Sequence, residues 1–524
     1  MLNLSATQLS LICFAFFGII VFFAYSISPK KYKWISLLAG SYLLAFVLSS
    51  YWIFLLIVTT TSVYFCALQI SKQNALFNIQ KEGLEKEERK ALKKKFTVKK
   101  KTILLIGVFI NLIIWILLKY CSLPIYKIND VFQDNFFVSI AFPILGISYY
   151  TLQAIGYLVD VYRGKYEADK NFFRLSLFLG YFPQLIEGPI GRYDDLAYQL
   201  YEGHPFDYTQ TAHGIQLFLW GLFKKIVIAD RINIIVSEVY SNYSIYSGWI
   251  IALTAVLYAF QLYTDFSGYI DMATGISQMF GIRLAKNFER PFFSQTIGEF
   301  WRRWHISLGG WLRDYIFYPV SFSKGYMALN KKMHGKLKPF FEKFIASALP
   351  LLFVWLACGI WHGSGVQFVV YGMYYYVIML VGMLLEPLYS RMLEKLKINK
   401  DAGFMRVIRV ARTFLLVCFG FMIFRADSLT QFGNMVVQLF KGGQWRIIST
   451  GIIDAYDFSA IFVSIGVLIF IETLQQKGVN IRDKVETFNL PLRWLIWLGL
   501  ILAIVIFGAY GTGYSQVAPM YALY

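Results

Sequence analysis

Charge is scarce in this chain. Only 15% of its 524 residues are Asp, Glu, Lys or Arg, against about a quarter in soluble domains. Cysteine and histidine are scarcer, at five each. The cysteines (Cys13, Cys66, Cys121, Cys358, Cys418) are scattered, mostly in or beside apolar runs. That excludes a disulfide scaffold and leaves them as small buried apolar residues. No two histidines stand at i, i+4 and none has a carboxylate at zinc spacing, so a metal site is not expected. A P-loop and a dinucleotide fingerprint are missing too, and Gly363-Ser364-Gly365 has the wrong spacing for a G-x-S-x-G elbow.

What is abundant is apolar surface: 57% of the residues are hydrophobic and 19% aromatic. Apolar runs long enough to cross about 30 Å of hydrocarbon recur along the whole length. This composition predicts an all-α polytopic membrane protein and excludes a soluble enzyme or a disordered chain. The net charge of +19 sits in loops between the runs. Positive-inside bias and anionic headgroups account for it there, so nucleic acid is not an expected partner and membrane lipids are.

Expected spans lie near 6–28, 34–48, 50–71, 102–120, 136–159, 211–229, 246–264, 343–360, 365–386, 407–424, 455–472 and 492–510, about 11–13 in all. The first lacks a basic leader and runs on into Ser26-Ile27-Ser28-Pro29, so it reads as a span rather than a cleavable signal. Residues 72–101 carry eleven Lys/Arg against four Glu and read as a solvated, cytoplasmic amphipathic helix, with the N-terminus outside. We read 1–524 as one multi-pass domain, with a basic loop at 72–101, a polar core at 173–386 and C-terminal helices over 407–524.

Between 173 and 320 polar residues interrupt the apolar text, among them Gln184, Glu187, Asp265, Asn287, Arg290, Arg302 and Arg303. Polar groups at membrane depth survive only where protein or a water-filled cavity satisfies them. Two histidines stand out. His305 lies in Phe300-Trp301-Arg302-Arg303-Trp304-His305-Ile306-Ser307-Leu308-Gly309-Gly310-Trp311. Read as one helix, this places Trp301, Trp304, His305, Leu308, Trp311 and Leu312 on one face, with Arg302, Arg303, Arg313 and Asp314 projecting away. Gly309-Gly310 weakens that continuity. His362 stands in Gly359-Ile360-Trp361-His362-Gly363, at a glycine-broken point between two apolar runs, and intramembrane histidines are functional by default. The bland readings are an interfacial Trp/Tyr belt with lipid-phosphate arginines around His305, and a surface turn at His362.

No histidine is followed five residues on by Asp, so the soluble glycerolipid-acyltransferase pattern is absent. The chain instead resembles the membrane-bound O-acyltransferase (MBOAT) family, in its bacterial branch of alginate and peptidoglycan O-acetylation subunits. The resemblance rests on Phe300–Asp314, Gly359–Gly363, Asp265-Phe266-Ser267-Gly268-Tyr269, Asn287-Phe288 with Arg290-Pro291-Phe292, Phe182-Pro183-Gln184 with Glu187-Gly188-Pro189-Ile190, and Phe424-Arg425-Ala426-Asp427-Ser428. It is strong over 130–440 and loose at the ends.

The resemblance implies helices around a central tunnel and acyl transfer from a cytoplasmic thioester to a hydroxyl at or beyond the outer face of the inner (cytoplasmic) membrane. It implies that His362 takes the hydroxyl proton and that His305 polarises the carbonyl or stabilises the oxyanion. The donor would be acetyl-CoA or a carrier-protein thioester, with no bound cofactor. Arg290, Arg302 and Arg303 would meet its phosphates, or else lipid headgroups. Glu187 and Asp265 would pair with those arginines, and Trp301, Trp304, Gln184 and Asn287 join the candidate binding residues. A polysaccharide acceptor and a periplasmic or extracellular SGNH-type acetyltransferase are the implied partners. The closing Tyr524 looks like the tails of helper peptides that hold an acyl group in transit; an interfacial aromatic belt is the favoured reading of the same tyrosines. The rival readings are D-alanyl transfer to teichoic acid, a proton-coupled transporter or flippase using both histidines as relays, and a non-catalytic scaffold.

Overall fold

The computed structural model describes residues 6–48, 50–120, 146–185, 187–445 and 454–510. Among these the chain is helical, with no strand and one isolated bridge between Tyr246 and Gln444. Among the described residues eight helices are long and apolar enough to cross a membrane; the protein is a multi-pass membrane protein. Other expected spans are shorter helices: Lys33–Leu48 with 16 residues, Ile147–Arg163 with 17, and Tyr208–Leu222 with 15, the last running into a π-helical segment at Phe223–Ala229. At 1.5 Å per residue Ile147–Arg163, bounded by Gly146 and Gly164, is about 26 Å long, short of the ~30 Å hydrocarbon core. Residues 136–145 of one expected span, and Cys121, lie outside the described residues.

The chain divides into two compact units, one drawn from Met1–Phe218 and Ala273–Ala285, the other from Leu219–Met272 and Lys286–Met520. In the first unit, Ser50–Gln80 and Lys86–Tyr120 form a helical hairpin. Residues 72–101 are therefore not a helix of their own. Each half extends a span, and only the turn around Gly83, at φ 76°, interrupts them. Once a span is nucleated in the membrane, each further residue propagates at little cost. Phe77 and Phe96 meet across the tip at 5.8 Å, and Lys100 donates to Asn74 at 2.6 Å, which keeps the extensions paired.

The second unit solves the problem of charge inside an apolar bundle. In the π-helical segment, Lys224 pairs with Asp271 at 2.7 Å, while Lys225 reaches Asp230 at 2.7 Å and Asp265 at 2.5 Å. A π-turn widens the helix locally and is common at functional sites. The carboxylates Asp265 and Asp271 come from Gly248–Met279, whose apolar window is 78% buried, against 6% for Leu490–Phe507. Gly221 lets the two backbones touch, because a Cβ there would lie 2.5 Å from the Gly268 carbonyl oxygen. The pairing also corrects an expectation: Asp265 is held by a lysine of the neighbouring segment, not set aside for the arginines near 290–303.

Truncating one member of such a buried group strands the others. Lys225→Met is expected to cost about 3–5 kcal/mol and to lower the unfolding midpoint in detergent clearly. Adding Asp230→Leu and Asp265→Leu to it should recover most of the loss. A Lys225→Met protein that unfolds at the wild-type temperature would show that these charges do not depend on one another.

Candidate functional site

The site begins with a helix that stops early. Thr296 caps Ile297–Arg303 by accepting the Glu299 amide at 3.1 Å, and Glu299 reaches back to the Gln295 amide at 2.8 Å. The helix ends at Trp304, and His305 takes the left-handed conformation, φ 46° and ψ 52°. A second short helix then runs over Ile306–Leu312 and passes into a π-helical turn at Arg313–Phe317. The single amphipathic helix expected over 300–315 is thus broken, and at His305 rather than at Gly309-Gly310.

The break is held from outside. Asn287 lies opposite it: its carbonyl accepts the Ile306 amide at 2.9 Å, and the Arg303 carbonyl accepts the Glu289 amide at 2.9 Å. Asn287 Oδ1 accepts the Ser307 amide at 3.2 Å and the Ser307 hydroxyl at 2.8 Å, and it lies 3.1 Å from His305 Nδ1. Left-handed backbone costs a non-glycine residue roughly 1–2 kcal/mol, and these contacts hold it in place.

The consequence is a cavity of about 560 Å³. Trp301, Trp304, His305, Leu308 and Leu312 line it, with Leu351, Val354, Trp355 and Cys358 from Pro339–His362. Arg302 and Arg313 line it as well. They were expected to point away from the aromatic face; the turn at His305 re-aims one side of the segment. Trp311, expected on that face, is buried against Tyr315 at 5.1 Å instead.

His362 closes the Pro339–His362 helix, which Gly363 ends in extended conformation, φ −174°. The helix packs closely on its successor, Val366–Lys395. A Cβ on Gly359 would lie 2.5 Å from the Phe368 carbonyl oxygen, and one on Gly372 would lie 2.3 Å from that of Trp355. The imidazole is buried edge-on among Phe424 at 5.2 Å, Tyr371 at 5.7 Å and Trp361 at 4.9 Å. His305 packs on Phe266 at 4.8 Å and on the same Trp361 at 5.8 Å. One indole therefore touches both imidazoles, although 56 positions separate residues 305 and 361. Burial holds the His305 pKa well below the ordinary histidine range, so the ring is neutral near pH 7.

Residues 167–333 match the membrane-bound O-acyltransferase family. Over 351 residues the chain is 35% identical to the probable alginate O-acetylase of Pseudomonas syringae pv. tomato, covering 66% of this chain and 61% of that protein. It is 29% identical to the peptidoglycan O-acetyltransferase of Helicobacter pylori over 62% of each chain. It is 30% identical to the teichoic acid D-alanyltransferase of Bacillus subtilis over 53% of this chain and 68% of that one. The chain belongs to the membrane-bound O-acyltransferase family. It spans about three fifths of the length of that alginate O-acetylase, 61%. The family match contains His305 and stops short of His362.

The remaining candidates of this family member divide. Trp301 stands edge-on to Trp355 at 4.9 Å and to Tyr375 at 4.8 Å, and Trp304 stacks on Phe300 at 5.4 Å. Arg303 pairs with Glu299 at 2.6 Å and Arg290 with Glu289 at 3.0 Å, and both donate to Gln476, at 3.2 and 3.0 Å. Their carboxylate partners are thus local, where Glu187 and Asp265 had been expected. Gln184, which donates to the Pro189 carbonyl at 2.7 Å, and the buried Glu187 belong to the first unit, whereas both histidines belong to the second. Tyr524 lies outside the described residues. Sequence reasoning missed Phe266, Trp361, Tyr371 and Phe424 as a shell, though all but Tyr371, which lies inside the expected span 365–386, stand in motifs it singled out. It also missed Lys224 and Lys225, whose signal was two adjacent lysines inside the apolar run 211–229.

Asn tolerates left-handed backbone and a β-branched residue does not. His305→Asn is therefore expected to fold with near-native stability, and His305→Val to be less stable than it by about 1–2 kcal/mol. Thermal unfolding of the two variants in one detergent decides this; equal midpoints would mean that the turn imposes no strain.

Proposed function

We propose that this protein is an O-acyltransferase that moves an acyl group, acetyl in the first instance, from a cytoplasmic thioester to a hydroxyl acceptor for O-acetylation of a cell-surface or exported polysaccharide. The observation that carries the reading is the pair of buried imidazoles on one indole, beside a cavity walled by aromatic residues and two arginines. The chemistry balances without a further reactant. The acceptor oxygen attacks the thioester carbonyl and its proton passes to a histidine; the C–S bond breaks, and the thiolate recovers the proton. Neutral imidazole suits that exchange, and such proton transfer contributes about 10²–10⁴ in rate. Of the arginines, Arg302 and Arg313 on the cavity wall suit the phosphates of coenzyme A or of a carrier's pantetheine arm.

The related alginate and peptidoglycan enzymes support a polymer acceptor. We assign the protein to the cytoplasmic membrane, with an SGNH-type transferase outside completing delivery to the polymer. A second reading, D-alanyl transfer from a carrier protein to teichoic acid, draws on the Bacillus subtilis relative, of which the chain covers 68%.

Purified protein in nanodiscs, given radiolabelled acetyl-CoA and a polysaccharide acceptor, is expected to release thiol and form labelled product. His362→Ala and His305→Ala should each lower that rate by about two to four orders of magnitude. Turnover with D-alanyl carrier protein alone would select the second reading. Thioester cleavage that both alanine variants retain would remove the histidines from the chemistry.

A further inference from the structure

The hydrogen bonds around Asn287 determine more than the shape of the turn. Its Oδ1 faces the Ser307 backbone N–H at 3.2 Å. A backbone N–H can only donate, so the side-chain atom facing it is the amide oxygen and not the nitrogen. The Ser307 hydroxyl contact at 2.8 Å agrees. That same oxygen lies 3.1 Å from His305 Nδ1. An oxygen acceptor there demands a proton on Nδ1, and a neutral imidazole then carries its basic lone pair on Nε2.

We infer that Asn287 is a positioning residue, which fixes His305 as the Nδ1–H tautomer and makes its Nε2 the acceptor of the attacking hydroxyl's proton. This rests on the acyl-transfer reading and reverses the role first expected for His305. A neutral ring with its proton on Nδ1 has nothing on Nε2 to donate to an oxyanion. It can take the hydroxyl proton as the new C–O bond forms. The resulting imidazolium keeps its Nδ1–H on Asn287 and returns the Nε2 proton to the departing thiolate as the C–S bond breaks.

Asn287 is well placed to hold this state. It is 1% exposed, and its neighbour Phe288 is wedged between Phe266 at 5.0 Å and Trp304 at 5.1 Å. Among the described residues, the ionisable groups that share the cavity wall with His305 are Arg302, Arg313 and Tyr318 of its own segment and Cys358. His362 lies against the same indole, and Asp265 adjoins Phe266 but is tied to Lys225. An amide here, where a carboxylate would also accept from Nδ1, leaves the ring uncharged between turnovers.

Two measurements test the assignment. Solution NMR of ¹⁵N-histidine-labelled protein in nanodiscs, with the His305 signals identified by their loss in His305→Gln, should show a pyrrole-type Nδ1 and a pyridine-type Nε2. Asn287→Leu should abolish that preference. In the acetyl-transfer assay Asn287→Leu should lower kcat about 10²-fold with KM changed less than about threefold. Asn287→Asp, which keeps the acceptor, should recover most of kcat. Its carboxylate favours the imidazolium, so the acid limb of its pH–rate profile should move to higher pH. A wild-type proton on Nε2 overturns the proposal. So does an equal loss in Asn287→Leu and Asn287→Asp with an unmoved pH profile, which marks Asn287 as structural only. Failure of wild type to cleave any thioester would sink the acyl-transfer reading, and with it the hydroxyl-proton role, while the NMR still decides the tautomer.

Discussion

The centre of the second unit depends on a two-rung backbone ladder, in which the Asn287 carbonyl takes the Ile306 amide and the Arg303 carbonyl takes the Glu289 amide. A chain that leaves helical conformation among apolar spans frees amides that cannot turn to water, and each one left unsatisfied costs several kcal/mol. Asn287 meets that requirement with three acceptor contacts from its side chain and one from its backbone. With the amides satisfied, the helix can end at Trp304 and the chain can reverse through His305. Arg302 and Arg313 then share a cavity wall with apolar residues of their own segment, among them Trp301, Trp304, Leu308 and Leu312. The cavity follows from the turn, and the turn follows from Asn287.

The same economy governs the charges. Lys224 and Lys225 are buried beside three aspartates, Tyr263 donates to the buried Glu472, and Arg231 pairs with Asp457. A buried pair is weak evidence for stability, because desolvation offsets most of the attraction. Its value lies in specificity: a helix carrying a lysine can dock only where a carboxylate waits. For the long helix Gly248–Met279, Asp265 and Asp271 fix the register against the π-helical segment, and Phe266 between them is thereby aimed at His305.

Much of this was legible in the sequence, and the reasons differ by feature. The membrane class followed from composition, because long apolar runs have no other stable use. His362 was legible because a glycine-flanked histidine between two apolar runs has few bland explanations, and it does sit where a helix ends. The hairpin at 72–101 was misread because charge pattern reports solvation, while helix continuity depends on nucleation in the membrane. The break at His305 was misplaced for a related reason. Glycine marks where a chain can turn, but the turn came where a partner 18 residues upstream could satisfy the freed amides, and no local pattern encodes that partner. Lys224 and Lys225 were overlooked inside an expected span, although ionisable residues at that depth are the ones to question first.

The two histidines reach one indole by opposite means. His305 is held by hydrogen bonds, in a left-handed turn braced by the ladder and by the side chain of Asn287. His362 is held by packing, at the end of a helix whose height is set by Gly359 and Gly372 lying against the backbone of the next helix. Aromatic edges of Phe424, Tyr371 and Trp361 surround His362 on three sides. An amide faces one imidazole, and a set of aromatic edges packs around the other. The carboxylates nearest the turn are occupied by arginines of the same stretch, Glu299 by Arg303 and Glu289 by Arg290, while Arg302 and Arg313 stay on the cavity wall.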